Sequence, residues 1–152
     1  MSGCLIAAAV ALVVLVVLVA LLMWVFRSPP AVGDDSPVQD GRLTFALTGT
    51  KCPKPAKEAL VRSCRLTVKI DNVGPEARVL YPGQQKLLDE DDALHGGTKL
   101  FDAAGKEITP IRIEPGGSFA GAVEFELPRT AKPAGFELHD SGLSRGVRVM
   151  LS

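Results

Sequence analysis

The sequence predicts an all-β domain, built as a β-sandwich of seven to eight short strands and preceded by one N-terminal transmembrane helix. Three observations support this prediction. Residues 5–26 form an unbroken apolar run, apolar and polar residues alternate in short segments after residue 42, and turns rich in Gly, Pro, Asn and Asp separate those segments about every ten residues. Such spacing, with no second helical pattern, is typical of packed antiparallel sheets.

The apolar run at residues 5–26 predicts a transmembrane anchor. It has no charged side chain, and at 1.5 Å per residue it would extend roughly 33 Å, enough to cross the hydrocarbon core of a bilayer. Trp24 and Arg27, at its C-terminal end, are residue types that favour the membrane interface. A cleaved signal peptide is the alternative, but no Lys or Arg precedes the run and Ser28-Pro29-Pro30 is a poor cleavage context. Cys4 precedes the run, so it does not complete a lipoprotein signal.

Residues 27–41 predict a Pro-rich linker that holds the following domain, residues 42–152, off the membrane. The segment shows no periodic apolar pattern and contains several turn-forming residues. From Asp34 onward, sixteen basic and seventeen acidic residues give a formal charge of −1. Nucleic-acid binding needs a concentrated basic face and anionic-lipid binding a polybasic one, so the charge disfavours both classes of partner.

The two cysteines of the domain, Cys52 and Cys64, predict a disulfide. A zinc site would need further Cys or His ligands nearby, and the chain offers only His95 and His139, which are distant and isolated. Two cysteines at the ends of one loop, behind an export-type anchor, are typical of an oxidising compartment. We therefore expect a single-pass protein of the cell membrane with its C-terminal domain extracytoplasmic. The alternative is a pair of reduced thiols in the cytosol.

Period-2 alternation and turn residues place the strands of the domain. In the segment around Cys64, alternate residues from Cys64 to Ile70 face inward, whereas Arg65, Thr67 and Lys69 face outward. In the segment that follows Ser118, Phe119 to Leu127 alternate inward in the same way, with Glu124 and Glu126 outward. The predicted strands are residues 42–50, 62–71, 77–81, 99–101, 107–108, 119–127, 136–139 and 146–151.

Four segments occur in an order that resembles a known family. They read LTVKIDNVG, LYPGQQKLLDEDD, LFDAAGKEI and IEPGGSFAGAVEFELP. This order resembles the telokin-like, immunoglobulin-like domain of unknown function found in exported actinobacterial and other Gram-positive proteins and lipoproteins; the secreted immunogenic immunoglobulin-like protein of mycobacteria is similar in style. The resemblance implies an immunoglobulin-like β-sandwich and an extracytoplasmic location. It brings no catalytic residues.

The acidic segment around Asp89 is a candidate metal site. Asp89, Asp91, Asp92 and His95 supply oxygen and nitrogen donors within seven residues, but the spacing does not match an EF-hand loop, which needs a Gly and a Glu at set positions. A solvated loop and an irregular cation site therefore both stay open. Ser118 lacks the glycine pattern and the strand-to-helix turn of a nucleophile elbow.

These observations predict a non-enzymatic binding or structural module of the cell envelope, with no cofactor. Its expected partners are the membrane, through the N-terminal helix, and an envelope protein or other envelope ligand. The alternative function is a metal-binding sensor or carrier that uses the acidic loop from Asp89 to His95. Fold class alone does not decide between them, because one fold can carry many functions.

Overall fold

The computed structural model describes residues 2–25, 27, 29, 31–32 and 37–151. The N-terminal segment forms one helix, α1 (Ser2–Val25), as the apolar run predicts. Residues Ile6–Val25 are long and apolar enough to span a membrane, and their side chains are exposed to the surroundings rather than buried in the domain. Phe26, the last residue of the predicted anchor, lies outside the described residues.

Twelve strands follow α1 in the part of the chain that the structure describes, four more than the eight segments predicted. The additional strands are short pieces of two to four residues: β1, β2, β6 and β9. The strands are β1 (Ala31–Val32), β2 (Val38–Asp40), β3 (Leu43–Lys51), β4 (Val61–Asn72), β5 (Arg78–Leu80), β6 (Lys86–Asp89), β7 (Leu94–Asp102), β8 (Glu107–Ile108), β9 (Ile111–Ile113), β10 (Ser118–Pro128), β11 (Pro133–Leu138) and β12 (Val147–Met150).

Most strands belong to one bent ribbon that forms both layers of a sandwich. Its order is β1-β12-β11-β6-β7-β10-β4-β3-β2, with β8 paired to β7 and with β5 and β9 forming a separate pair. Strand β7 turns the corner: its first residues pair with β6, and those from Gly97 onward pair with β10. A Cβ atom at Gly97 would lie 2.4 Å from the Pro82 carbonyl oxygen, so this corner requires a glycine.

The core lies between the two layers and follows the predicted alternation. On β4, residues Cys64, Leu66, Val68 and Ile70 are buried, and on β10 every second residue from Phe119 to Leu127 is buried. Phe125 meets Phe136 of the opposite layer with ring centroids 5.5 Å apart. The tilted contact between the two rings joins the layers at their centre. The predicted β-sandwich is therefore confirmed.

Two parts of the predicted linker, residues 31–32 and 38–40, pair with strands of the sheet. Ala31 and Val32 pair with Arg148 and Val149, and β2 pairs with the start of β3. Val38 and Asp40 are buried. The neighbouring strands β12 and β3 offer free backbone groups with which these short segments pair. Residues 28, 30 and 33–36 of the predicted linker lie outside the described residues.

Candidate functional site

The predicted disulfide between Cys52 and Cys64 is present. The Cα atoms of Cys52 and Cys64 lie 4.2 Å apart, with a sequence separation of 12 residues. Cys64 is fully buried on the inward face of β4, and Cys52, just after β3, packs against the core. The bond therefore ties the end of one strand to the beginning of the next, as the sequence predicts.

The acidic loop is a tight hairpin between β6 and β7, and Asp89 holds it together. One carboxylate oxygen of Asp89 accepts hydrogen bonds from the backbone N–H groups of Asp91 and Ala93, at 3.0 and 2.9 Å. The other oxygen lies 2.8 Å from Nε2 of His95. Hydrogen bonds from His95 and from the backbone hold the pKa of Asp89 below its ordinary value. The buried Asp89 carboxylate thus serves the turn itself.

The structure brings together only two of the four candidate metal ligands. Asp89 and His95 form a pair, whereas the side chains of Asp91 and Asp92 are exposed at the tip of the hairpin. In the described ranges, no group of three or more His, Cys, Asp or Glu side chains is placed to hold a metal ion. Asp92 has a φ of 62°, the left-handed conformation that Asp tolerates in turns. The cluster has the contacts of a structural turn.

A groove crosses the outer face of the sheet formed by β3, β4, β10 and β7. Where this face would ordinarily carry large polar side chains, the central strand β10 carries Ala120 and Ala122. Their partners across the ladders are Lys69 and Thr67 on β4, and Phe101 on β7. The result is a trough about 480 Å³ in volume, whose floor is made of small side chains and backbone.

One wall of the groove is a stacked pair of side chains. The guanidinium of Arg65 lies 4.0 Å above the ring centre of Phe101, and its Nη2 atom donates a 2.8 Å hydrogen bond to Glu124. Phe101 is only 9% exposed although it points away from the core, because Arg65 covers it. A cation over an aromatic face is a favourable arrangement, and the carboxylate fixes the position of the guanidinium.

The other rim of the groove is formed by the β7–β8 hairpin. Asp102, Ala103 and Gly105 line it, and the Asp102 carboxylate accepts two backbone hydrogen bonds, from Ala104 and Lys106, at 2.9 Å each. The rim is therefore held in one conformation. A trough with a small-residue floor, a wall of Arg65 stacked on Phe101 and a fixed rim can accept an extended segment of another molecule, with the guanidinium of Arg65 available for contact.

A buried polar network closes the end of the sandwich where β2 ends and β3 begins. Asp40 accepts hydrogen bonds from the backbone N–H groups of Asp140 and Gly146, at 2.8 and 3.1 Å. Asp140 accepts one from Arg42 N–H at 2.6 Å and forms an ion pair with Arg78 at 3.0 Å. The two carboxylates are buried, and the groups that contact them come from residues far apart in the sequence. The network ties β2 to the segment after β11.

A second part of this network surrounds the other histidine. His139 Nε2 lies 2.9 Å from Glu137, and Glu137 also accepts a 2.8 Å hydrogen bond from Arg148. The amide of Gln85 exchanges two 2.9 Å hydrogen bonds with the backbone of His139. Nδ1 of His139 lies 3.3 Å from the hydroxyl of Ser144. The ring is thus fixed on both sides within the fold.

The predicted membrane-interface residues lie where α1 ends. Trp24 is in the last turn of the helix and is largely exposed. Arg27 is exposed, and its backbone N–H approaches the carbonyl oxygen of Trp24 at 3.4 Å. The aromatic ring and the cation therefore follow the apolar surface of α1 directly, in the order expected at a bilayer boundary.

Comparison with known proteins finds likeness in structure. No protein-family model and no curated protein sequence matches the chain. A secreted protein of Mycobacterium tuberculosis, MPT63, superposes with a TM-score of 0.58 at 13% identity, over 81% of this chain and 98% of that one. An uncharacterised β-sandwich protein from Clostridium difficile gives 0.54 at 9% identity, over 83% and 96%. A putative lipoprotein from Bacillus subtilis gives 0.51 at 12% identity, over 75% of this chain and 38% of that one.

These comparisons bear on the fold, because all three identities are far below the level at which function is shared. They confirm, as a likeness of fold, the predicted resemblance to the immunoglobulin-like domain of unknown function of exported proteins. The match to the mycobacterial protein extends over nearly the whole of that protein. The chain therefore carries the β-sandwich fold of these proteins behind an apolar N-terminal helix.

Proposed function

We propose that this protein is a membrane-anchored, non-enzymatic binding module of the cell envelope. Helix α1 holds it in the membrane, the sandwich lies outside the cytoplasm, and the groove on the outer sheet face receives a segment of a partner protein. The residues that contact the partner are Arg65 on the wall, supported from below by Phe101, and Ala120 and Thr67 on the floor.

Anchoring is supported by the surface that α1 presents. The apolar side chains from Ile6 to Val25 are exposed on every side of the helix, a state that water penalises and a bilayer satisfies. The disulfide supports an oxidising compartment outside the cytoplasm. The fold is shared with one protein described as secreted and with another described as a putative lipoprotein, which agrees with export.

The observation that carries the binding role is the composition of the groove. Ala120 is exposed near the start of the long strand β10, beside the exposed side chains of Thr67 and Lys69 on the neighbouring strand. Small residues at this position leave the sheet surface open, whereas larger ones would fill it. Two ion pairs border the groove, Arg65–Glu124 and Lys69–Asp71. Hydrogen bonds from Ser118 and Lys69 hold the pKa of the Asp71 carboxyl below its ordinary value.

Site-specific photocrosslinking in living cells tests this proposal. A photoreactive amino acid is placed at Thr67, inside the groove. In a matched control it is placed at Thr130, which is exposed on the loop between β10 and β11. We expect a discrete crosslinked protein at position 67 and none at position 130. The substitution Ala120→Arg, which fills the groove from an exposed position, should abolish the adduct, while Ala56→Arg in the disulfide-closed loop should preserve it.

Two results would refute the binding role of the groove. One is the same pattern of adducts from both crosslinker positions, which would mean that neighbouring proteins contact the domain without a preference for the groove. The other is an undiminished adduct in the Ala120→Arg protein. Turnover of an envelope substrate by the purified protein, lost on a point substitution in the groove, would replace the binding role with an enzymatic one. A metal-binding role is not proposed, because the Asp89 carboxylate is engaged on both oxygens.

A further inference from the structure

The loop between β11 and β12 carries an apolar side chain that the domain leaves uncovered. Leu143 is 100% exposed, the most exposed large apolar residue in the described part of the chain. It lies in the segment Ser141–Arg145, and the segment is well braced at its base. The Ser144 hydroxyl donates a 2.9 Å hydrogen bond to the Ser141 carbonyl, and Asp40 accepts one from the Gly146 N–H. The fold therefore holds Leu143 outward on a rigid loop.

The topology of the sheet places this loop on the same side as α1. Strands β1 and β12 are parallel, with Ala31 beside Arg148, so both strands begin at the same end of the sandwich. The chain enters β1 from α1, and it enters β12 from the loop 141–145. Only five residues lie between Val25 and Ala31, so the two Cα atoms are at most roughly 22 Å apart. The loop consequently faces the region in which α1 ends.

The side chains at the end of α1 and in the loop line one common hollow. Its volume is about 300 Å³, and Trp24, Val25 and Arg27 line one side while Leu143, Ser144 and Arg145 line the other. Trp and Arg at the end of a membrane-spanning helix lie at the level of the lipid headgroups. A loop that shares a hollow with them lies at that same level, with a leucine and an arginine of its own.

We infer that the loop 141–145 is a second membrane contact, in which Leu143 enters the interfacial layer of the bilayer beside Trp24. This inference rests on the proposed anchoring of α1. The occupant of the loop surface is lipid, because the helix end and the short connection to β1 leave the loop next to the bilayer. Two contacts, one helix and one loop, fix the tilt of the domain and leave the groove on the outer sheet face open to a partner.

Quenching of tryptophan fluorescence by brominated lipids tests the inference in the full-length protein. The chain has a single tryptophan, Trp24, so the parent protein reports on the helix end alone. The variant Leu143→Trp in a Trp24→Phe background reports on the loop. The matched control is Leu60→Trp in the same background: Leu60 is 86% exposed, on the loop between β3 and β4 at the opposite end of the sandwich. All three proteins are placed in phosphatidylcholine nanodiscs, with bromines near the top of the acyl chains or without them.

We expect the bromines to reduce the fluorescence of Trp24 and that of the indole at position 143 by a comparable fraction, and to leave that of the indole at position 60 unchanged. Quenching of Trp24 without quenching at position 143 would overturn the inference and leave the anchoring of α1 standing. Equal quenching at positions 143 and 60 would also overturn it, because the contact would then not belong to this loop. No quenching of Trp24 would refute the anchoring on which the inference rests.

Discussion

Loss of the disulfide should destabilise the domain by an amount that the loop length sets. The bond joins Cys52 to Cys64 across a sequence separation of 12 residues, and closure of a loop of that size in the unfolded chain corresponds to about 3 kcal/mol at 25 °C. Reduction of the wild-type protein removes this constraint and no atoms. The double variant C52A/C64A also removes the fully buried sulfur of Cys64, which adds about 1 kcal/mol for the vacated space.

The free energy of unfolding is best measured by pulse proteolysis in urea, on the full-length protein in detergent micelles. Tryptophan fluorescence would not report on the domain, because Trp24 belongs to α1. We expect a loss of about 3 kcal/mol on reduction of the wild type and of about 4 kcal/mol in the double variant. Reducing agent should not affect the double variant further. A loss below about 1 kcal/mol on reduction would refute the loop-closure argument.

Two further predictions concern the core and the acidic hairpin. Phe125→Ala removes a fully buried ring that contacts Phe136, so we expect a loss of about 3–5 kcal/mol by the same pulse-proteolysis measurement, and a loss below about 1 kcal/mol would contradict the packing described. Because the pKa of Asp89 is lowered in the folded state, its ionised form stabilises the fold above about pH 4, and that contribution is lost as the pH falls through the folded-state pKa. Asp89→Asn should therefore be less stable than the wild type at pH 7, and the difference in unfolding free energy should shrink as the pH falls through the folded-state pKa of Asp89; a difference that stays constant on acidification would contradict the role of the charge.

The long strands could be predicted from the sequence because their alternation is unbroken. Strands β4 and β10 place apolar residues at every second position over seven and nine residues, so the sequence predicts both their location and their inward faces. The four missed strands have two to four residues each, too few for a period to show. Their structure depends on pairing with a neighbouring strand, as in the pairing of Ala31 with Arg148.

The groove could not be predicted because it depends on register. Phe101 looks like a core residue in the sequence, and only the pairing of β7 with β10 places it opposite Ala122 on the outer face. Its cover, Arg65, comes from a strand 36 positions earlier in the chain. The small residues at 120 and 122 are the one signal that the sequence contained, since exposed strand positions usually carry larger side chains.

The sequence shows that the acidic residues are close together, but the structural role of Asp89 in the turn could not be predicted from it. The four candidate metal ligands lie within seven residues of sequence, whereas the structure uses the Asp89 carboxylate to close the turn through backbone N–H groups. An Asp side chain at the end of a strand can accept hydrogen bonds from nearby backbone N–H groups, and these bonds compete with metal binding for its oxygens. The buried network at Asp40 and Asp140 was also missed, because its partners are about a hundred residues apart.

Protease treatment of intact spheroplasts tests most directly whether the sandwich lies outside the cytoplasm and is held there by an uncleaved helix. The protein carries one epitope tag before Met1 and another after Ser152, and a cytosolic protein serves as the control for intactness. An extracytoplasmic sandwich on an uncleaved helix predicts loss of the C-terminal tag while the N-terminal tag remains in a membrane-bound fragment. Protection of the C-terminal tag until detergent is added would contradict it, as would absence of the N-terminal tag from the untreated mature protein.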